Sequence, residues 1–86
     1  MKYTIVVFSS RNETMRFYRI VKNYGLFASI INTPRKLASS CGISCKIDVR
    51  LISYSINIIH QEMYQTCKGI YSIELINGRE LITKLY

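Results

Sequence analysis

The order of apolar runs, helix caps and turn residues predicts an α+β fold. It is a ferredoxin-like βαββαβ sandwich with a short helix between strands 2 and 3 and an added C-terminal hairpin strand. Three observations carry this reading. Ile5-Val6-Val7-Phe8 is a continuous β-branched and aromatic run, the mark of a strand covered by neighbours. Ser10 and Glu13 follow at the spacing of a capping box that opens a helix. Asn77-Gly78 sits between two apolar runs as a two-residue hairpin signal.

Taken in order, Tyr3–Ser9 reads as the first strand. A helix follows over about Arg11–Tyr24, with Met15, Tyr18 and Val21 as its inward stripe, Leu26 continuing it, and Gly25 as the stop. Leu26–Asn32 reads as the second strand. Thr33-Pro34 starts a short helix, Thr33 as N-cap and Pro34 in the first turn. That helix is spent by Ser39-Ser40, and Cys41-Gly42 turns the chain. Ile43–Asp48 alternates as a third strand, with Ile43, Cys45 and Ile47 on one side. A longer helix spans about Val49–Thr66 with the stripe Ile52, Ile56, Ile59 and Met63, and Gly69 ends it. Ile70–Ile76 and Arg79–Leu85 then pair as a hairpin. No repeat, linker or low-complexity segment divides the chain, so residues 1–86 read as a single domain.

Composition narrows the function classes. A chain of 86 residues is too short for a two-lobed enzyme with a cleft between domains. Its 49% apolar content excludes a disordered chain. No stretch approaches the roughly 18 apolar residues of a membrane span, and nothing resembles a secretory signal. Three cysteines is an odd number, which favours thiols over disulfides and a reduced, cytoplasmic setting. Twelve Lys and Arg against five Asp and Glu give a net charge of +7. The basic residues are scattered with no run of four, which favours a solvated surface over a dedicated nucleic-acid face. There is no Ser-His-Asp set, no paired-carboxylate constellation and no phosphate-cradling Gly-rich loop. A metal site drawn from Cys41, Cys45, Cys67 and His60 lacks any C-x-x-C pair, and no cofactor is expected.

The expected topology gathers three distant pieces at one end of the sheet: Ser9-Ser10-Arg11, Thr33–Gly42 and Cys67-Lys68-Gly69. With the first and third strands adjacent, Cys41 comes close to the capped N-terminus of the first helix. The positive end of that helix, together with Arg11, Arg35 and Lys36, favours a thiolate, the reactive form of cysteine. The C-terminus of the short helix before Cys41 opposes it with the wrong dipole sign.

The strings Ile31-Asn32-Thr33-Pro34-Arg35 and Ser39-Ser40-Cys41-Gly42, with Ser9-Ser10 ending a strand and Gly25 after the helix, resemble the selenium/sulfur carrier-like family of small bacterial domains. The resemblance covers about residues 3–71. It implies a non-enzymatic carrier that holds sulfur or selenium on Cys41 as a persulfide or selenosulfide. A donor enzyme and an acceptor protein are the partners it implies. It also implies Arg35 as an electrostatic neighbour of Cys41, and Ser39, Ser40 and Gly42 as residues that shape the loop, with Ser9 and Ser10 at the end of the first strand. The chain departs from that pattern in bulky Arg16 and Phe17, in its terminal hairpin and in its charge.

Each candidate also has a plain reading. Cys41 is either the carrier thiol or a small loop residue. Cys45 reads as core. A Cys41–Cys45 disulfide is disfavoured, because four extended steps of about 3.3 Å exceed the reach of the bond. Cys67 is either a resolving thiol for Cys41 or an unrelated thiol at a helix end, and His60 borders the second helix stripe. A small basic module that binds nucleic acid or protein without chemistry is the competing function class. The edge strand Arg79–Tyr86 offers a surface for a homodimer.

Overall fold

The computed structural model describes residues 1–37 and 41–86. Its elements are β1 (Lys2–Phe8), α1 (Arg11–Asn23), β2 (Ala28–Asn32), a 3-10 turn (Arg35–Leu37), β3 (Ile43–Ile47), a second 3-10 turn (Val49–Leu51), α2 (Ile52–Glu62), β4 (Cys67–Ile76) and β5 (Arg79–Lys84). The fold is α+β, with one five-stranded sheet in the order β2-β3-β1-β4-β5. Every neighbouring pair is antiparallel. The two 3-10 turns and β5 take the order beyond a simple βαββαβ.

Alternation along β1 sets the two faces. Val6 and Phe8 point to the side where Phe17 and Val21 of α1 and Ile58 and Ile59 of α2 close the main core with Cys45, Ile47 and Ile70. Phe8, Phe17 and Tyr64 stack there with ring centroids 4.9 to 6.2 Å apart. That contact explains bulky Phe17, which the family resemblance had left as a departure. Ile5 and Val7 point the other way. They form a second core with Ile73 and are covered by Leu37, Tyr3, Ile31, Tyr71 and Ile82.

Leu37 reaches this second face because the connection after β2 folds over it. Lys36 Nζ donates to the carbonyl of Glu80 at 3.1 Å, on β5 at the far edge of the sheet. Thr33–Gly42 is expected at the sheet end; its feet, Thr33 and Gly42, meet there, while Leu37 extends onto the second face. The helix expected there is one 3-10 turn within the described residues. The Thr33 hydroxyl does not cap that turn. It pairs with the buried Ser44 hydroxyl at 2.7 Å.

Both helix stripes hold in part: Val21 and Ile59 are buried, and Tyr18, Ile52 and Ile56 pack against the core, but the fully buried positions are others. In α1 the buried residues are Thr14, Phe17 and Val21. Thr14 escapes an apolar pattern, yet its hydroxyl donates to the Ser10 carbonyl at 2.9 Å, which removes the cost of burying it. In α2 the buried residues are Ser55, Ile58 and Ile59. Met63 is 82% exposed and lies past the last turn in a left-handed conformation, φ 51°, that ends the helix well before Thr66. Gly69 therefore stops nothing. It belongs to β4, which starts at Cys67 and pairs with Val7 and Phe8 across a register shift. A side chain at Gly69 would collide with the Tyr86 carbonyl oxygen, so the close return of the C-terminal segment requires glycine. The Asn77-Gly78 turn has φ of 50° and 77° and joins Ile76 to Arg79 in register, as its sequence predicts.

Candidate functional site

Cys41 enters β3 through Gly42, whose φ of 74° lies in the left-handed region and whose Cβ side is open. The feet of the loop are tied together, since the Thr33 amide donates to the Gly42 carbonyl at 2.9 Å. β3 lies beside β1, and this pairing brings Cys41 to the last residue of β1. Its Sγ donates to the carbonyls of Phe8 at 3.3 Å and Ile43 at 3.4 Å. The Thr14 hydroxyl lies 3.8 Å from the same sulfur. The half-buried thiol thus sits at the first turn of α1, where the topology argument put it.

That first turn is held by a wider network than a capping box. The Ser10 hydroxyl accepts from the Glu13 amide at 3.2 Å, the expected half of the box. The other half is different. Glu13 does not return to the Ser10 amide. Its carboxylate accepts from the amides of Gln65 at 2.9 Å and Thr66 at 2.8 Å, and from the Thr66 hydroxyl. The Ser10 amide instead donates to Thr66 Oγ1 at 3.1 Å, and the Ser9 amide to the Thr66 carbonyl at 2.9 Å. Burial pushes the Glu13 carboxyl up, but the hydrogen bonds from Thr66 and Gln65 outweigh it, with help from Arg16, and hold it below its ordinary value. The segment before β4 is therefore latched to the N-terminus of α1.

The electrostatics at Sγ oppose one another. The positive end of α1 favours a negative sulfur. The two carbonyl oxygens favour the S–H form, and a thiolate would lose both bonds. Arg11, the first residue of α1, and Arg35, on the 3-10 turn, are both exposed, and among the described residues neither makes an ion pair. Ser39 and Ser40 lie outside the described residues.

None of the three cysteines is in a disulfide. Cys45 is fully buried, and burial pushes its thiol up to about 12, so it is a core residue. Cys67 is half-buried and is the cross-strand partner of Phe8, so it and Cys41 adjoin the same residue from opposite sides. Burial raises the Cys67 thiol above its ordinary value, against the lowering effect of the Gly69 amide. His60 is exposed, its Nε2 2.6 Å from the Tyr86 hydroxyl. Among the described residues no three His, Cys, Asp or Glu side chains converge to hold a metal ion. Among the described residues no helix is long and apolar enough to cross a membrane.

Sequence reasoning missed Thr14 and the carbonyls of Phe8 and Ile43 as the surroundings of the thiol. The four-residue spacing from Ser10 to Thr14 was the available signal, because a Thr one turn after a cap can bond back to it. No sequence pattern marks a backbone carbonyl.

Comparison with known proteins places this geometry in a family. No curated protein and no solved structure matches the chain significantly. The family described as "Putative Se/S carrier protein-like" matches residues 2–72, which span β1 through the first half of β4 and include Cys41 and every element that surrounds it. On that match, the chain belongs to the Se/S carrier protein-like family.

Proposed function

We propose that the protein is a thiol-based carrier of sulfur or selenium, with Cys41 as the carrier residue. The observation that carries this reading is the place of its Sγ. It is half-buried at the N-terminal turn of α1, 3.8 Å from the Thr14 hydroxyl and bound to two carbonyls that hold the resting thiol. Family membership supports the cargo class. Loading starts when the Cys41 thiol loses its proton. The thiolate attacks the outer sulfur of a persulfide on a donor enzyme of the cysteine desulfurase class. A bond from Sγ to that sulfur forms as the donor's S–S bond breaks, and the donor cysteine leaves as a thiolate that takes the proton. No net oxidation occurs. A selenosulfide donor delivers selenium by the same exchange. An acceptor nucleophile then attacks the outer atom and returns Cys41 to its thiol. The loaded, negatively charged atom lies at the positive end of α1, with Arg11 of α1 and Arg35 of the loop as the cations assigned to it. Ser9, Ser10 and Gly42 shape the site, and Ser39 and Ser40 complete the loop. A reduced, cytoplasmic setting belongs to the same proposal.

The ferredoxin-like reading of the sheet is part of this proposal. It is supported by β1 lying between β3 and β4 and by both helices packing on one face, with β5 as an addition. β5 is also an edge strand, carrying exposed Leu81 beside exposed Leu75 and Ile76 of β4, and we propose it as the pairing edge of a homodimer. An RNA-binding module needs an open sheet face. Here Leu37 covers part of that face, which favours the carrier.

The test is intact-mass spectrometry after incubation with a cysteine desulfurase and free cysteine, and separately with the same enzyme and free selenocysteine, which loads selenium on the donor already at the selenosulfide level. One added sulfur or selenium atom, removed by reductant and absent from Cys41→Ser, supports the carrier. An adduct that persists in Cys41→Ser, or maps to Cys67, overturns it.

A further inference from the structure

β5 is the outer strand of the sheet, and its register fixes which of its backbone groups face outward. The two-residue Asn77-Gly78 turn makes Ile76 and Arg79 a pair that exchanges both hydrogen bonds. Alternation then makes Glu74–Leu81 and Ser72–Thr83 hydrogen-bonded pairs, whereas Leu75–Glu80, Ile73–Ile82 and Tyr71–Lys84 are not. Two contacts agree with this. The Leu75 amide turns away from β5 and donates to the Met1 carbonyl at 2.8 Å, and the Leu85 amide donates inward to the Ile70 carbonyl at 2.7 Å. The amides and carbonyls of Glu80, Ile82 and Lys84 therefore point to the open edge.

One of these outward groups is already engaged. Lys36 Nζ donates to the Glu80 carbonyl at 3.1 Å. Among the described residues Lys36 makes no ion pair, so this carbonyl is what holds its ammonium. Leu37, the next residue, packs with Ile82 on the second core, which carries the Lys36 stem across that face to the edge. A lysine at a sheet edge opposes pairing with a further strand. The edge is nonetheless self-complementary. Two β5 strands placed antiparallel about a two-fold axis at Ile82 bring Glu80 of each opposite Lys84 of the other, and Ile82 opposite its own counterpart. In that register the Glu80 carbonyl accepts from the Lys84 amide of the second copy, and this is the acceptor that Lys36 holds. The family match ends at residue 72, so Lys36 lies inside it and β5 outside.

We propose that β5 pairs with β5 of a second copy about Ile82, and that Lys36 guards this edge by competing for the Glu80 carbonyl. Pairing displaces both Lys36 ammonium groups of the dimer and replaces them with backbone hydrogen bonds and two Glu80–Lys84 pairs. The inference rests on the homodimer reading of β5 and is independent of the chemistry of Cys41.

The test is sedimentation equilibrium of the full chain, which gives the dimer dissociation constant. Lys36→Met keeps the apolar stem and removes the ammonium. It should tighten the dimer about tenfold, because two guarding contacts are lost from the monomers for each dimer formed. Lys36→Arg keeps a charged donor and should stay within about threefold of the parent. Glu80→Lys sets like charges opposite each other and should weaken the dimer about tenfold, and the double exchange Glu80→Lys/Lys84→Glu should restore it. Hydrogen exchange at the Glu80, Ile82 and Lys84 amides should slow as the chain concentration rises. Far-ultraviolet circular dichroism reports that each variant is folded. A dimer that is no tighter in Lys36→Met overturns the guard and leaves the homodimer standing. A dimer that the double exchange does not restore overturns the register about Ile82. A parent chain that is monomeric at every concentration overturns the homodimer and this proposal with it.

Discussion

Glu13 links the segment before β4 to the first turn of α1, and its removal tests whether that link stabilises the candidate site. Its carboxylate accepts three hydrogen bonds, from two amides and one hydroxyl in residues 65 and 66. In Glu13→Ala all three donors lose their partner. A hydrogen bond to a charged group contributes about 1.5–3 kcal/mol when sheltered, but residue 65 is exposed and water replaces part of the loss, so the expected cost is about 2 kcal/mol. Glu13→Gln keeps one acceptor and loses the charge, and its expected cost is about 1 kcal/mol. Urea unfolding at neutral pH measures both. The pH dependence separates charge from packing. The carboxyl is held below its ordinary value in the folded chain. Its contribution is then complete above the unfolded pKa and is lost as the pH falls through the folded one. The gap between the parent and Glu13→Gln should be full above about pH 5.5 and shrink steadily as the pH drops below the ordinary carboxylate range. A gap that is the same at low and neutral pH, or a Glu13→Ala cost within about 0.5 kcal/mol of zero, would refute the reasoning.

Other outcomes follow from particular contacts. Thr14→Val removes the hydroxyl beside Cys41 while keeping the volume, and should change the alkylation rate of Cys41 severalfold with a stability cost of about 1 kcal/mol, both read on the same preparation. Cys45→Ala opens space in the core and should cost about 1–2 kcal/mol, whereas Cys41→Ser should stay within about 1 kcal/mol of the parent in urea. Gly69→Ala places a methyl against the Tyr86 carbonyl, so hydrogen exchange at the Ile70 amide, which donates to that carbonyl at 3.3 Å, should speed up more than exchange in α1. Sedimentation at rising concentration should show a dimer that Leu81→Lys weakens; a monomer at every concentration removes β5 as a pairing edge.

Much of the architecture was legible because its signals are local. The β-branched run of β1, the Ser10 cap, the Pro34 start and the Asn77-Gly78 turn each act within a few residues, and each marks an element boundary to within a residue or two. Where expectation and structure part, a distant contact decides. The start of β4 at Cys67 has weak strand character of its own and becomes a strand by pairing with Val7 and Phe8. Thr14 is buried because Ser10 accepts its hydroxyl and Phe17 and Val21 fix the rotation of α1. Leu37 covers the second core by packing on Ile5, Val7 and Ile73, residues distant in sequence, beside Lys36, whose ammonium reaches β5.

For the site the division is sharper. Sequence by itself determined that a thiol-bearing Cys-Gly turn precedes a strand and that a capped helix follows another, since each depends on neighbouring residues. Only the tertiary structure decided that Cys41 points at the carbonyls of Phe8 and Ile43 with Thr14 beside it, and that Glu13 turns away from its own cap to hold residues 65 and 66. The reason is that hydrogen-bond partners on separate elements are chosen by sheet order and register, and these emerge only when the whole core packs.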